Sequence, residues 1–153
     1  MKKKLENFMV KSPYKGTPQM GLKEALNIML ECRIQHLPIV DVEKLVGIIS
    51  ERDLYALTLL PMAEKLLIND VMKRDVFVAA KSAALDQVVR TMLERKVGST
   101  IVVNSENEVI GIFTVTDAMR LLADLLEEDS SEDYVLDDCY EPWNFGESVN
   151  SPY

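Results

Sequence analysis

The chain is a duplication, and that constrains its fold more than any single motif does. Residues 47–53 read GIISERD and residues 111–117 read GIFTVTD. In each copy a glycine precedes two apolar residues, Ile48-Ile49 or Ile112-Phe113, which read as the end of a buried strand. A hydroxyl follows, Ser50 or Thr114, and three residues after it an acid, Asp53 or Asp117, the pattern of a capping box that opens a helix. The correspondence extends upstream. A shift of 63 residues pairs Leu22 with Leu85, Met29 with Met92, Glu31 with Glu94 and Ile39-Val40 with Val102-Val103. One extra residue in the second copy's turn makes the shift 64, which pairs Gly47 with Gly111 and Asp53 with Asp117. A unit of about 60 residues used twice is expected to fold as two similar halves, with its functional features at the two strand-to-helix corners.

Each copy yields the same series of elements. Leu5, Phe8 and Met9 make a short amphipathic start that Ser12-Pro13 interrupts, and residues 14–17 are a short extended piece that Pro18 helps to end. Leu22, Ala25, Leu26, Met29 and Leu30 fall at the spacing of one buried helical face, with Lys23, Glu24, Asn27 and Glu31 outward. Residues 36–40 (HLPIV) and 45–49 (LVGII) read as strands around a turn carrying Asp41, Glu43 and Lys44, and residues 51–60 as a helix that Pro61 stops. The series then recurs: extended at 76–79, helical through Leu85, Val88, Val89, Met92 and Leu93, strands at 99–103 and 109–113, and a last helix to about residue 126. The predicted class is α+β, with repeats at residues 1–62 and 63–126 and a tail at 127–153.

Composition narrows the function classes. The net charge of −8 is uneven: residues 124–153 hold ten Asp or Glu and no Lys or Arg, which leaves 17 basic against 15 acidic residues elsewhere. A near-neutral body gives little footprint for nucleic acid, where several phosphate contacts are needed. No apolar run approaches the roughly 20 residues that span a membrane, and MKKKLENF has no apolar stretch of a secretory signal behind it. The expected location is the cytoplasm. Cys32 and Cys139 stand alone, so neither a disulfide nor a zinc site is suggested, and His36 is the single histidine. G-x-S-x-G, Walker-type and H-E-x-x-H signatures are missing, which argues against an enzyme and assigns no catalytic and no metal residues.

Two stretches carry a resemblance: RIQHLPIVDVEKLVGIISERDL at residues 33–54 and KVGSTIVVNSENEVIGIFTVTDAM at 96–119. With the glycine, hydroxyl and acid at matching places in both, and the L-P-h-V-D strand (h apolar) in the first, residues 1–125 resemble a pair of CBS domains, the Bateman module. The resemblance implies two β-α-β-β-α repeats related by a pseudo-two-fold, ligand clefts between them, and assembly into a disc-shaped homodimer. Free-standing members of the family are regulatory and not catalytic. It further implies that the aspartate takes the two ribose hydroxyls of an adenosyl ligand, with the nearby Ser or Thr assisting and adenine lying against apolar backbone.

Carried over position by position, one cleft comprises Thr114, Asp117 and Ile112 with Ile34, Gln35, His36 and the Lys11–Pro13 segment. The other comprises Ser50, Asp53 and Ile48 with residues 74–76, ending in Val76, and with Val97, Gly98 and Ser99. Arg52, His36, Lys11 and Arg74 are the cations available to phosphate. The ligands expected are ATP, ADP or AMP, with Mg accompanying ATP, and the partner is an unidentified regulated protein. From the residues alone each corner also reads simply as a helix cap. An alternative function is a scaffold with vacant clefts that acts through its acidic tail, where Tyr134, Tyr140, Trp143, Phe145 and Tyr153 are half of the chain's aromatics. Apolar residues beyond what a core needs, Leu54, Leu57, Leu59 and Leu60 with Ala118, Met119, Leu121 and Leu122, predict a dimer through these helices.

Overall fold

A computed structural model describes residues 3–129. The acidic, aromatic tail beyond Asp129 lies outside the described residues. The chain divides into two units, Met1–Arg120 and Leu121–Tyr153. The first unit holds both repeats up to the start of the last helix.

The first repeat contains β1 (Val10–Lys11), α1 (Leu22–Glu31), β2 (His36–Asp41), β3 (Lys44–Ser50) and α2 (Glu51–Thr58). The second contains α3 (Ile68–Val71), β4 (Val78–Ala80), α4 (Leu85–Arg95), β5 (Ser99–Val103), β6 (Val109–Thr114) and α5 (Val115–Asp129). Most strand boundaries move by a residue or two from the sequence reading, as with β4, expected at 76–79 and found at Val78–Ala80, and two helix ends move as well. Helix α2 ends two residues early, at Thr58, and α5 runs three beyond residue 126. The one-turn α3 escaped periodicity altogether, because four residues are too few to show a period.

The two sheets have the same order. One is β1-β6-β5-β4, with β1 antiparallel to β6 and β4 parallel to β5. The other is the β2-β3 hairpin, extended by single bridges from Lys73 to Ile48 on β3 and from Gly16, in parallel, to Ile39 on β2. Both hairpins shift register at matching places, between Ile39 and Val40 and between Val102 and Val103.

The duplication is therefore exact enough to show which segment serves which half, and the segments are exchanged. Val10 pairs with Ile112 in the second repeat, while its counterpart Lys73 pairs with Ile48 in the first. Lys4 bridges Ala84, just as Leu67 bridges Gly21. Leu5 and Ile68, the apolar anchors of the two crossing segments, are both fully buried. The crossing also accounts for the two glycines. A Cβ on Gly47 would lie 2.5 Å from Met72 Sδ and 3.1 Å from the Lys73 carbonyl oxygen; one on Gly111 would meet Met9 Sδ at 2.5 Å and the Val10 carbonyl oxygen at 3.2 Å. Only glycine lets the crossing backbone lie so close to the strand.

Leu22, Ala25, Leu26 and Met29 of α1 pack with Leu37, Ile39, Ile49, Leu54, Ile68 and Met72 into the core of the first repeat. Leu54 is thus a core residue and not part of an interface, and Leu57 is half-buried against the same cluster. A second cluster joins the halves, with Ile101, Val109 and Ile112 against Val40, Leu45, Ile48 and Val76. No helix of the described residues is long and apolar enough to cross a membrane.

Candidate functional site

The two corners share a sequence pattern but not a hydrogen-bonding state. At the second, Asp117 Oδ2 accepts from the Thr114 N–H at 2.8 Å and from Thr114 Oγ1 at 2.7 Å, while Thr114 Oγ1 accepts from the Asp117 N–H at 3.3 Å. The capping box is closed, and Arg120 stands 3.4 Å from the other carboxylate oxygen. At the first corner only half of the box forms. Ser50 Oγ accepts from the Asp53 N–H at 3.2 Å, but the Asp53 carboxylate does not return to the Ser50 backbone. It turns instead to Lys73, whose Nζ lies 2.8 Å from Oδ2. That oxygen is sealed from solvent, and the ammonium is its close partner. The Lys73 ammonium, helped by the Ser50 contact and opposed by burial, holds the Asp53 carboxyl below its ordinary 3.8.

Asp53 borders a cavity of about 460 Å³ between the two repeats. The β3–α2 corner supplies Ile48, Ser50, Arg52 and Asp53; the second crossing segment supplies Lys73, Asp75 and Val76. The turn after α4 supplies Lys96, Val97, Gly98 and Ser99. That turn is sharp because Lys96 adopts φ 53°, letting the Val97 N–H reach back to the Met92 carbonyl and close the helix in a left-handed cap. Gln35 and His36 line the cavity from the start of β2, and Ile49, Glu51, Phe77, Thr114, Val115 and Thr116 complete it. His36 rests against Gly98, where a Cβ would stand 2.9 Å from Nε2. Burial pushes the imidazole below its ordinary 6.5; Asp53 pulls it up, and Lys73 and Arg52 push it down, so it is neutral at pH 7.

Of the residues expected in the Ser50 and Asp53 cleft, the structure brings together Ile48, Val76, Val97, Gly98 and Ser99, and the cation candidate Arg52 joins them. Three expected in the other cleft, Gln35, His36 and Thr114, line this same cavity. The remainder of that second set lies elsewhere. Ile112 is buried in the cluster between the halves, Lys11 and Ser12 border a separate depression with Glu6, Met9 and Lys81, and Ile34, Pro13 and Asp117 line neither. Arg74 bonds Asn69, 2.9 Å from its side-chain oxygen, and does not reach the cavity lining. Lys73 was missed. Its signal was present, since a shift of 63 sets it opposite Val10, but it shows only when the crossing segments are included in the repeat.

This architecture of two exchanged halves around a shared cavity is that of a CBS domain pair. The CBS domain model matches residues 5–58 and 68–124, and the chain belongs to that family. A protein from Vibrio cholerae that bears the name acetoin utilization protein (AcuB) superposes with a TM-score of 0.75 at 32% identity, over 87% of this chain and 100% of that one. The CBS domain pair of protein MJ0100, solved with 5′-methylthioadenosine and S-adenosyl-L-methionine, gives 0.73 at 29% identity, over 82% and 99%. CBSX2 in complex with AMP gives 0.71 at 25%, over 80% and 98%. Curated relatives are longer. The chain is 34% identical over 119 residues to an inosine-5′-monophosphate dehydrogenase of Methanocaldococcus jannaschii, covering 77% of itself but only 23% of that protein, and it spans 40% of a second protein from that organism.

Proposed function

We propose that the chain is a non-catalytic regulatory module that takes an adenosyl ligand, with AMP, ADP or ATP foremost, in the cavity at Ser50 and Asp53, and reports occupancy to a protein partner. The observation that carries this reading is the Asp53 carboxylate, not closed back on the Ser50 backbone and held by one exposed lysine, at the edge of a cavity of about 460 Å³. A ribose diol offers two hydroxyl donors that a carboxylate in this place can accept. Ile48, Val76 and Val97 give adenine an apolar bed. Of the first N–H groups of α2, that of Glu51 goes to the Gln35 carbonyl and that of Asp53 to Ser50, which leaves that of Arg52 for phosphate or water. Mg, where ATP is the ligand, arrives with the nucleotide. The solved relatives with methylthioadenosine, S-adenosylmethionine and AMP support the ligand class. The same reading makes the protein a cytoplasmic homodimer.

Because Asp117 is spent on its own cap, one ligand per chain is expected. Isothermal titration with AMP, ADP and ATP tests this: binding at one site per chain, weakened roughly ten- to 150-fold by Asp53→Asn, is the expected outcome. No heat with any adenosyl compound would overturn the reading.

A further inference from the structure

We infer that Lys73 makes this cavity select phosphorylated adenosyl ligands over uncharged or sulfonium ones, because binding exchanges its ion pair with Asp53 for one with the ligand. The inference rests on the adenosyl reading above and adds the chemistry that discriminates within that class.

The acid and the ammonium satisfy each other at 2.8 Å. A ribose that engages Asp53 competes for that carboxylate. The Lys73 backbone cannot withdraw, since its N–H and carbonyl are both bonded to Ile48 at 2.9 Å. Its side chain can, being 64% exposed on a flexible stem. The displaced ammonium loses its anion, and the cavity lining holds more cations than free carboxylates. Asp75 is held by Arg95, with contacts at 3.0 and 3.1 Å to its two oxygens. Glu51 is the one other acid in the lining, and Arg52 and Lys96 add two more cations beside Lys73. A phosphate on the ligand supplies the missing charge; methylthioadenosine breaks the pair and returns nothing, and a sulfonium adds repulsion.

The other corner serves as an internal control. There Val10 holds the position that Lys73 holds here, no cation stands opposite the acid from the crossing segment, and Asp117 folds back onto Thr114. The residue on the crossing segment therefore sets what the aspartate does.

Titration calorimetry of the full chain with AMP and with methylthioadenosine, on the wild type, Lys73→Met and Lys73→Arg, tests the inference. The expected result is a change of opposite sign: Lys73→Met weakens AMP by about tenfold or more and tightens methylthioadenosine, whose ribose no longer competes with an ammonium, while Lys73→Arg keeps the wild-type preference for AMP. Equal factors for both ligands in Lys73→Met, or an unchanged AMP affinity, would overturn the inference and leave the adenosyl reading standing. A wild type that binds neither compound would overturn both. Circular dichroism melts of each variant establish that it is folded.

Discussion

At the scale of residues, Ser50-x-x-Asp53 and Thr114-x-x-Asp117 show how far a motif determines its own chemistry. The hydroxyl does the same thing in both, accepting the N–H of the acid three residues on. The carboxylates part company. Asp117 takes two hydrogen bonds from Thr114, so its removal undoes a cap; Asp53 does not close back on the Ser50 backbone and faces Lys73. Asp117→Ala should therefore lower stability in urea by about 1–2 kcal/mol, while Asp53→Ala changes it little, since it loses only a partly exposed ion pair. The ranking for ligand affinity is the reverse. Chemical denaturation of the two variants beside the wild type checks it, and equal losses would contradict the difference in capping. The sequence made both corners legible as caps and as sites, because hydroxyl and acid stand at fixed spacing. It could not say which corner does which, because the deciding residue, Lys73 or Val10, arrives from a segment far along the chain.

At the scale of elements, the two hairpins solve one problem in two ways. The β2–β3 turn has two residues, Val42 and Glu43, at φ 44° and 66°, so both central positions are left-handed as a type I′ turn requires. Neither residue favours that region, and Val42, β-branched and almost wholly exposed, has no packing to compensate. The second turn spends the extra residue. Asn104 Oδ1 accepts the N–H groups of Glu106 and Glu108, each at 2.9 Å, and Asn107 alone takes the left-handed position at φ 62°, which asparagine tolerates. Replacing Val42-Glu43 by Asn-Gly should stabilise the protein by about 1–2 kcal/mol and raise its melting temperature by several degrees, measured by calorimetry. A lowered melting temperature would count against the turn assignment. The insertion was readable from the change of offset between copies. The turn type was not, because nothing in Val-Glu announces positive φ; tertiary pairing of β2 with β3 overrides the local preference.

At the scale of the whole molecule, the duplication, the α+β class and the family were all readable, since they rest on periodicity and on spacing that two copies confirm in each other. The exchange of the crossing segments was not: hydrophobic pattern marks Leu5 as part of an amphipathic start and is silent about which half buries it, and the segment around Ile68 is too short to show a period. The apolar residues left over are fewer than periodicity suggested, with Leu54 in the core. Leu59, just past the end of α2, is 86% exposed and Met119 on α5 59% exposed, however, and such side chains after the two corners favour a second copy as their cover. Light scattering at micromolar concentration should give the mass of a dimer, and Leu59→Glu combined with Met119→Glu that of a monomer; a monomeric wild type would refute the homodimer. The crossed segments also fix a timetable. On the ribosome, residues 3–11 are made before any strand they can join, because β6, their partner, emerges about 100 residues later, roughly 5–20 s at ordinary rates of synthesis. The first repeat completes its sheet as soon as Lys73 is out, whereas the second must reach back for a segment made about 100 residues earlier. Its final strand pairing is the step that closes the molecule, and until then Leu5, Met9 and Val10 are apolar surface for a chaperone to hold.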